Sequence, residues 1–122
     1  MSFSFDELMA ANHVLAAWRI DHGLTANEGA VLLEIHWAGA IGAAALSRAV
    51  GISTASMSRM IARLEVEGWL IRSGDERDGR RLLIQPSKRL VNAVAGLAGP
   101  ATGSAARQAA HVVAALGGSA ED

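Results

Sequence analysis

The chain has 122 residues, 51% of them hydrophobic, a length and composition that predict one folded domain with a modest core and exclude a disordered chain. It contains no cysteine, which excludes disulfides, thiolate metal ligands and sulfur-based redox switches. Its formal net charge of -1 excludes a uniformly basic protein, so contact with an anionic partner requires positive charge concentrated in one segment.

The first predicted element is a helix from Phe5 to about His22, ended by Gly23. Its apolar seam recurs at intervals of three and four residues and consists of Leu8, Ala11, Leu15, Trp18 and His22. A heptad seam on a terminal helix is typical of packing against a partner helix.

The second predicted helix begins with a capping box. Thr25 is expected to cap the helix, and Glu28 to reach back to the backbone of the cap. The helix is predicted to run to about Ala38. The residues expected in its core face are Val31, Leu32 and Ile35.

A short helix, a tight turn and a longer helix follow, in the order of a helix-turn-helix unit. The short helix is predicted from Ala43 to Val50 with Leu46 buried, and Gly51-Ile52-Ser53 forms the turn. In the longer helix, between Ser53 and Gly68, the predicted buried stripe is Met57, Met60, Ile61 and Leu64. The opposite face holds Ala55, Arg59, Ala62 and Val66, flanked by Ser56, Ser58 and Arg63. These small, hydroxyl and arginine side chains suit close approach to an anionic surface.

A hairpin is predicted after this helix. Trp69 to Ser73 and Leu82 to Gln85 have the composition of strands, and the intervening GDERDGR is rich in turn formers. The hairpin loop contributes to a concentration of positive charge between Arg48 and Arg89. That segment has nine basic and five acidic residues, a net charge of +4, whereas the rest of the chain has a net charge of -5. The asymmetry indicates one face for phosphates, although a solvated surface without a partner could show the same division.

Two further helices are predicted after Pro86-Ser87. The first runs from Lys88 to about Ala98, with Leu90, Val91, Val94 and Leu97 predicted to be buried. Gly99-Pro100 breaks it, and a helical pattern resumes from Ala105 to Leu116. This alanine- and glycine-rich region is expected to pack against the first helix, its own or a partner's.

The order of these elements resembles the MarR family of bacterial transcription regulators over roughly Leu24 to Val94. The resemblance is carried by Leu24-Thr25, Leu46, Gly51-Ile52-Ser53, Ser58-Arg59, Arg63-Leu64-Glu65, Gly68, Arg72, Asp75, Asp78 and Arg80. Four positions depart from the family pattern. Gly79 stands where many members have another arginine, Gly42 replaces the usual hydroxyl cap, and Pro86-Ser87 replaces Leu-Thr.

The resemblance implies a mainly α fold with a small β-hairpin wing, a winged helix-turn-helix with N- and C-terminal dimerisation helices. It implies a single domain of residues 1–122, in which residues 24–86 bind DNA and residues 1–23 and 87–122 form the dimerisation region. In the implied obligate homodimer the first and last helices interlock, and the two recognition helices enter successive major grooves of double-stranded DNA.

The predicted DNA-binding residues are Ser53, Thr54, Ser56, Ser58, Arg59, Arg63, Arg77, Arg80 and Arg81. The resemblance implies that Ser56, Ser58 and Arg59 face the major groove and that Arg80, braced by Asp78, lies near the minor groove. Structural alternatives remain open. Arg59 could be an ordinary solvated arginine, Arg63 could pair with Glu67, and Arg80 could form only a hairpin salt bridge with Asp78.

A ligand pocket for a small aromatic or acidic effector is predicted from Trp18, His22, His36 and Trp37. Ordinary core or interface packing is the alternative for each tryptophan. The four histidines have no close metal-ligand spacing, so neither a metal nor another cofactor is expected.

The sequence therefore predicts a cytoplasmic, dimeric DNA-binding regulator, a repressor on a pseudo-palindromic operator. A cytoplasmic location follows because no apolar run reaches the ~20 residues of a membrane span and the amino terminus is acidic rather than cationic. One alternative is a winged helix that binds another protein and has no operator. An enzyme is discounted, because the chain lacks a cysteine nucleophile, a glycine-rich phosphate loop and a paired-carboxylate motif away from the hairpin loop.

Overall fold

The computed structural model of the chain describes residues 4–74 and 82–97. These residues form five helices and a three-stranded antiparallel sheet: α1 (Phe5–Asp21), α2 (Ala26–Ala38), β1 (Ile41–Gly42), α3 (Ala43–Val50), α4 (Thr54–Val66), β2 (Leu70–Gly74), β3 (Leu82–Pro86) and α5 (Lys88–Ala95). This is the mainly α fold with a β wing that the sequence predicts. Among the described helices, none combines the length and the hydropathy that crossing a bilayer requires.

Hydroxyl side chains begin four of the described helices. Ser4, Thr25, Ser53 and Ser87 each accept a hydrogen bond from the backbone N–H three residues further on. The predicted capping box of α2 is complete, because the Glu28 carboxylate accepts the Thr25 backbone N–H at 2.9 Å. The cap of α3 is Gly42, which has no side chain to offer. Such local bonds define where a helix begins, so the sequence alone predicts these starts closely.

The predicted helix-turn-helix unit is formed by α3, the turn and α4. Gly51 ends α3 with a φ of +81°, a left-handed conformation that favours glycine, and its N–H donates to the Ser47 carbonyl at 2.8 Å. All four residues of the predicted stripe on α4 are buried: Met57, Met60, Ile61 and Leu64. Because this stripe packs on the core, the opposite face of α4 is turned to solvent.

The sheet has the strand order β1-β3-β2. The predicted hairpin pairs β2 with β3, from Leu70 opposite Pro86 to Gly74 opposite Leu82. Sequence analysis did not predict β1, whose Ile41 pairs with Ile84 of β3. Since β1 directly precedes α3, backbone hydrogen bonds connect the start of the helix-turn-helix unit to the inner strand of the wing.

The apolar seam of α1 packs within the chain. Ala11, Leu15 and Trp18 are buried in the same core as the residues of α2, and Leu8 packs against that core at half burial. His22, the last residue of the predicted seam, is exposed. The heptad spacing therefore has an intramolecular cause, and it does not by itself indicate a partner helix.

The last described helix, α5, is shorter than predicted and ends at Ala95. Leu90 and Val94 are buried, and so is Leu97 beyond the helix, but Val91 is 43% exposed, so its predicted burial is wrong. Leu90 and Val94 are one turn apart and define the buried face, which leaves Val91 on a neighbouring face. The helix predicted from Ala105 to Leu116 lies outside the described residues.

Ser87 joins the end of α4 to the start of α5. Its Oγ accepts the capping N–H of α5 and donates to the Gly68 carbonyl at 2.6 Å. Beside it, the Arg89 guanidinium lies 3.9 Å from the centroid of the Trp69 ring and donates to the Glu67 carbonyl. These contacts hold α5 against the segment that leads from α4 into the wing.

Candidate nucleic-acid interface

The outward face of α4 is the surface on which the predicted reading residues lie. The exposed residues of that face are Thr54, Ala55, Ser58, Arg59, Ala62, Arg63 and Val66, whereas Ser56 is half-buried. Small side chains predominate around Arg59, so the helix backbone can approach a groove closely. The face predicted from helical periodicity is thus the face that solvent reaches.

Ser53, Ser56 and Arg59 are connected by hydrogen bonds along this face. The Ser56 N–H donates to Ser53 Oγ at 3.2 Å, and Arg59 Nη2 donates to Ser56 Oγ at 3.1 Å. The Ser53 hydroxyl is therefore engaged as the helix cap, while Ser56 orients the guanidinium of Arg59. Because the bond to Ser56 is exposed, the Arg59 guanidinium can exchange it for a ligand at little cost.

Arg63 has a different partner from the one its spacing suggested. Its Nε and Nη2 lie 3.1 Å and 2.8 Å from Oε2 of Glu28, in α2, and not against Glu67. The Glu28 side chain is only 8% exposed, whereas that of Arg63 is 55% exposed. The guanidinium thus carries a counter-ion from the core side and presents its remaining surface to solvent.

Arg72 connects the wing to α4. Its Nη2 and Nε lie 2.7 Å and 2.9 Å from Oε1 of Glu65. Hydrogen bonding with Arg72, and then its positive charge, lower the pKa of Glu65 below its ordinary value, and the same bond and charge raise the pKa of Arg72. The pair fixes β2 against the C-terminal half of α4.

A cavity of about 170 Å³ lies between α4 and the sheet, next to this ion pair. Its lining consists of Ala43, Ser58, Ile61, Arg72, Leu82 and Ile84. Sequence analysis missed it, because its walls come from α4, the start of α3 and two strands.

The four residues of the predicted aromatic pocket are divided by the structure. Trp18 and His22 are in edge contact, with ring centroids 5.4 Å apart, and His22 makes a second edge contact with Trp69 at 5.5 Å. His36 and Trp37 are half-buried at the far end of α2. Trp18 lies near Gly29, in the first turn of α2. Seven residues of helix, roughly 10 Å, separate that turn from His36.

The remaining sequence-based expectations concern the arginines of the wing tip and metal binding. Arg77, Arg80 and Arg81, with the expected brace Asp78, lie outside the described residues. Within residues 4–74 and 82–97, histidine and carboxylate side chains form no group of three that could hold a metal ion.

The middle of the chain matches a known protein family. The model of the MarR family matches residues 24–82, from just before α2 to the first residue of β3. No curated protein matches the sequence.

Solved structures share the fold over most of the chain. A probable transcriptional regulator from Pseudomonas aeruginosa is 29% identical, with a TM-score of 0.61 over 89% of this chain and 80% of its own. A mutant of MarR from E. coli complexed with operator DNA is 19% identical, with a TM-score of 0.64 over 83% of this chain and 72% of its own. Wild-type MarR from E. coli in its apo form is 16% identical, with a TM-score of 0.64 over 95% and 87%. The winged-helix fold of these regulators is therefore the fold described above.

Proposed function

Because this chain belongs to the MarR family of DNA-binding transcriptional regulators, we propose that it acts as a homodimer that represses transcription from a pseudo-palindromic operator. The observation that carries the proposal is the outward face of α4, where Arg59 stands among small and hydroxyl side chains opposite a fully buried stripe. In a helix-turn-helix unit this face enters the major groove. Two α4 helices in a dimer would then reach half-sites about one helical turn apart.

Base reading falls mainly to Arg59 in this proposal. A guanidinium can donate two parallel hydrogen bonds to the O6 and N7 atoms of guanine, and the nearby hydroxyls of Thr54 and Ser58 can donate to phosphates or base edges. Arg77, Arg80 and Arg81 of the wing would contact the backbone and the minor groove. Since these contacts displace counterions, affinity for DNA would fall steeply as salt rises.

Dimerisation is assigned to residues 1–23 and 87–122, and DNA binding to residues 24–86. Support comes from α1, where Phe5 is 75% and Ile20 76% exposed although both are large apolar side chains. Met9, between them, is 37% exposed. At helical spacing these three share one side of α1, away from the seam that packs in the core, and burial against a second copy would remove this side from water. Such a dimer would act in the cytoplasm, where the DNA lies.

Modulation by a small effector is the remaining part of the proposal. A cavity of about 170 Å³ is comparable in volume to one that holds a single aromatic ring, and this one is lined by apolar side chains together with Ser58 and Arg72. The lining suits a small aromatic acid better than the divided aromatic residues of α1 and α2 do. An acid bound there would compete with Glu65 for Arg72, and would so shift the balance between dimers able and unable to bind DNA.

A gel-shift measurement on the DNA that flanks the protein's own gene, across a salt series, tests the proposal. We expect sequence-selective binding by the wild-type chain, a large loss in Arg59→Ala and Arg80→Ala, and little change in Lys88→Ala. Lys88 is an exposed cation in the first turn of α5 and serves as the matched loss of one charge. If Arg59→Ala and Arg80→Ala keep full selective affinity, the site is wrong. If the wild-type chain binds DNA only weakly and without sequence preference, a protein-interaction module is the better explanation.

A further inference from the structure

Glu28 uses both carboxylate oxygens in two different structural roles. Oε1 accepts the Thr25 backbone N–H at 2.9 Å and completes the capping box of α2. Oε2 accepts two hydrogen bonds from Arg63, at 3.1 Å from Nε and 2.8 Å from Nη2. One nearly buried carboxylate therefore begins α2 and also holds an arginine of α4, 35 residues further along the chain.

Arg63 lies where a DNA-binding α4 would meet a phosphate. It follows Arg59 by one helical turn, so the two arginines share the outward face of α4, and both are exposed. Among the residues that the structure describes, the guanidinium of Arg59 bonds to a neutral hydroxyl alone, whereas that of Arg63 is held by a charged carboxylate through two hydrogen bonds. Charge-assisted bonds of this kind are about twice as strong as neutral ones.

A phosphate that takes the Nε and Nη2 donors of Arg63 must displace Glu28, and one that approaches the remaining donors meets a guanidinium whose charge Glu28 already balances. The displaced carboxylate would be left close to buried and without its counter-ion, which is costly in a protein interior. It would also lie near the phosphate and repel it. Because breaking the ion pair is costly, Arg63 should remain bonded to Glu28 when DNA approaches.

We infer that Glu28 withholds Arg63 from the DNA backbone, so that this positioning residue limits the number of phosphate contacts that α4 makes. The inference rests on the proposed function, because it requires that the outward face of α4 binds DNA. Glu28 touches no DNA in this account and acts only through Arg63. Glu28 should therefore change the salt dependence of DNA affinity, which depends on the number of phosphate contacts, more than it changes base selectivity.

The test compares the salt dependence of operator affinity among matched variants. Glutamine is accepted in a capping box, so Glu28→Gln keeps the cap of α2 while it removes the charge that holds Arg63. We expect the slope of log affinity against log salt to steepen by about 0.9, which is roughly a threefold greater loss of affinity between 50 and 200 mM salt. Adding Arg63→Gln to Glu28→Gln restores the wild-type net charge, and we expect it to restore the wild-type slope.

Glu67→Gln is the control for charge alone. Glu67 is an exposed acid four residues after Arg63. Its substitution by glutamine therefore removes one negative charge close to the same face, as Glu28→Gln does, but does not free Arg63 from Glu28. We expect its slope to stay near that of the wild type. Arg63→Gln in the wild-type background gives an independent reading, because an arginine that contacts no phosphate leaves the slope unchanged when it is removed.

The outcomes separate this inference from the proposed function. An unchanged slope in Glu28→Gln, an equal steepening in Glu67→Gln, or a slope that falls by about 0.9 in Arg63→Gln overturns the inference alone. Absence of selective DNA binding by the wild-type chain overturns both. Thermal unfolding followed by circular dichroism checks that each variant is folded. If Glu28→Gln does not fold, the salt slope of Arg63→Gln still tests the inference.

Discussion

The indole N–H of Trp18 donates to the backbone carbonyl of Ala93 at 3.0 Å, and so joins α1 to α5 across 75 positions of sequence. Trp18 is 6% exposed and belongs to the core, while the polar edge of its ring reaches α5, the described helix that follows the wing. This bond fastens the first described helix to the last. It explains why a tryptophan, rather than a purely apolar residue, occupies this position in the seam of α1.

Trp18→Phe should lower the free energy of unfolding by about 1–3 kcal/mol, because it removes part of a buried ring and the indole N–H, and leaves the Ala93 carbonyl with the Gly96 N–H as its donor. Chemical denaturation followed by circular dichroism measures the change. A midpoint equal to that of the wild type would mean that the hydrogen bond contributes nothing and that the smaller ring fills the same space.

Ser87→Ala should destabilise the chain by about 1–3 kcal/mol, since it removes both the cap of α5 and the bond to the Gly68 carbonyl. Ser87→Thr retains the hydroxyl and is the matched control, for which we expect a much smaller effect. Equal destabilisation by the two substitutions would assign the loss to packing and not to the hydroxyl group.

Glu65 should titrate below the ordinary range of a glutamate, because hydrogen bonding with Arg72 holds its pKa down. A carboxyl whose folded pKa is lowered stabilises the fold at a pH above its unfolded pKa, and this stabilisation is lost as the pH falls through the folded pKa. Arg72→Ala should return the pKa towards its ordinary value and remove the contribution of Glu65 to acid sensitivity. Carbon-13 NMR titration of the Glu65 carboxyl measures its pKa in the wild-type chain and in the variant. An unshifted pKa in the wild-type chain would contradict the pairing with Arg72.

Arg59→Lys should separate affinity from selectivity. Lysine keeps the charge but cannot donate the parallel pair of bonds that a guanidinium makes to guanine. We expect non-specific binding and its salt slope to be retained, while discrimination between operator and altered operator falls by about 1–3 kcal/mol. Competition binding with operators altered one base pair at a time measures it, and undiminished discrimination would remove Arg59 from base reading.

Local signals in the sequence account for most of the fold. Thr25 and Ser53 cap the helices that the sequence assigned to them, since a cap bonds to a backbone only three residues away. The bounds of α3 agree because Gly51 supplies the left-handed turn. Helical periodicity correctly predicted the buried stripe of α4, because the stripe lies within one helix.

Contacts between distant segments were not predictable in the same way. Spacing suggested Glu67 as the partner of Arg63 because it is four residues away, but the fold brings Glu28 there from another helix. β1 is too short to show a strand pattern, and it exists only because Ile41 meets Ile84. The heptad seam of α1 could not reveal whether its partner lay in the same chain, and Val91 was assigned to the core on apolar character alone.

The short strand β1 also affects how the sheet meets other proteins. A sheet edge offers unpaired backbone groups on which another chain can add a strand, a common route to aggregation. Here one edge is only two residues long, and the other edge, β2, carries Arg72 at its centre. The central strand, β3, is paired on both sides and lies between these two edges. The described edges of the sheet therefore offer little template for self-association.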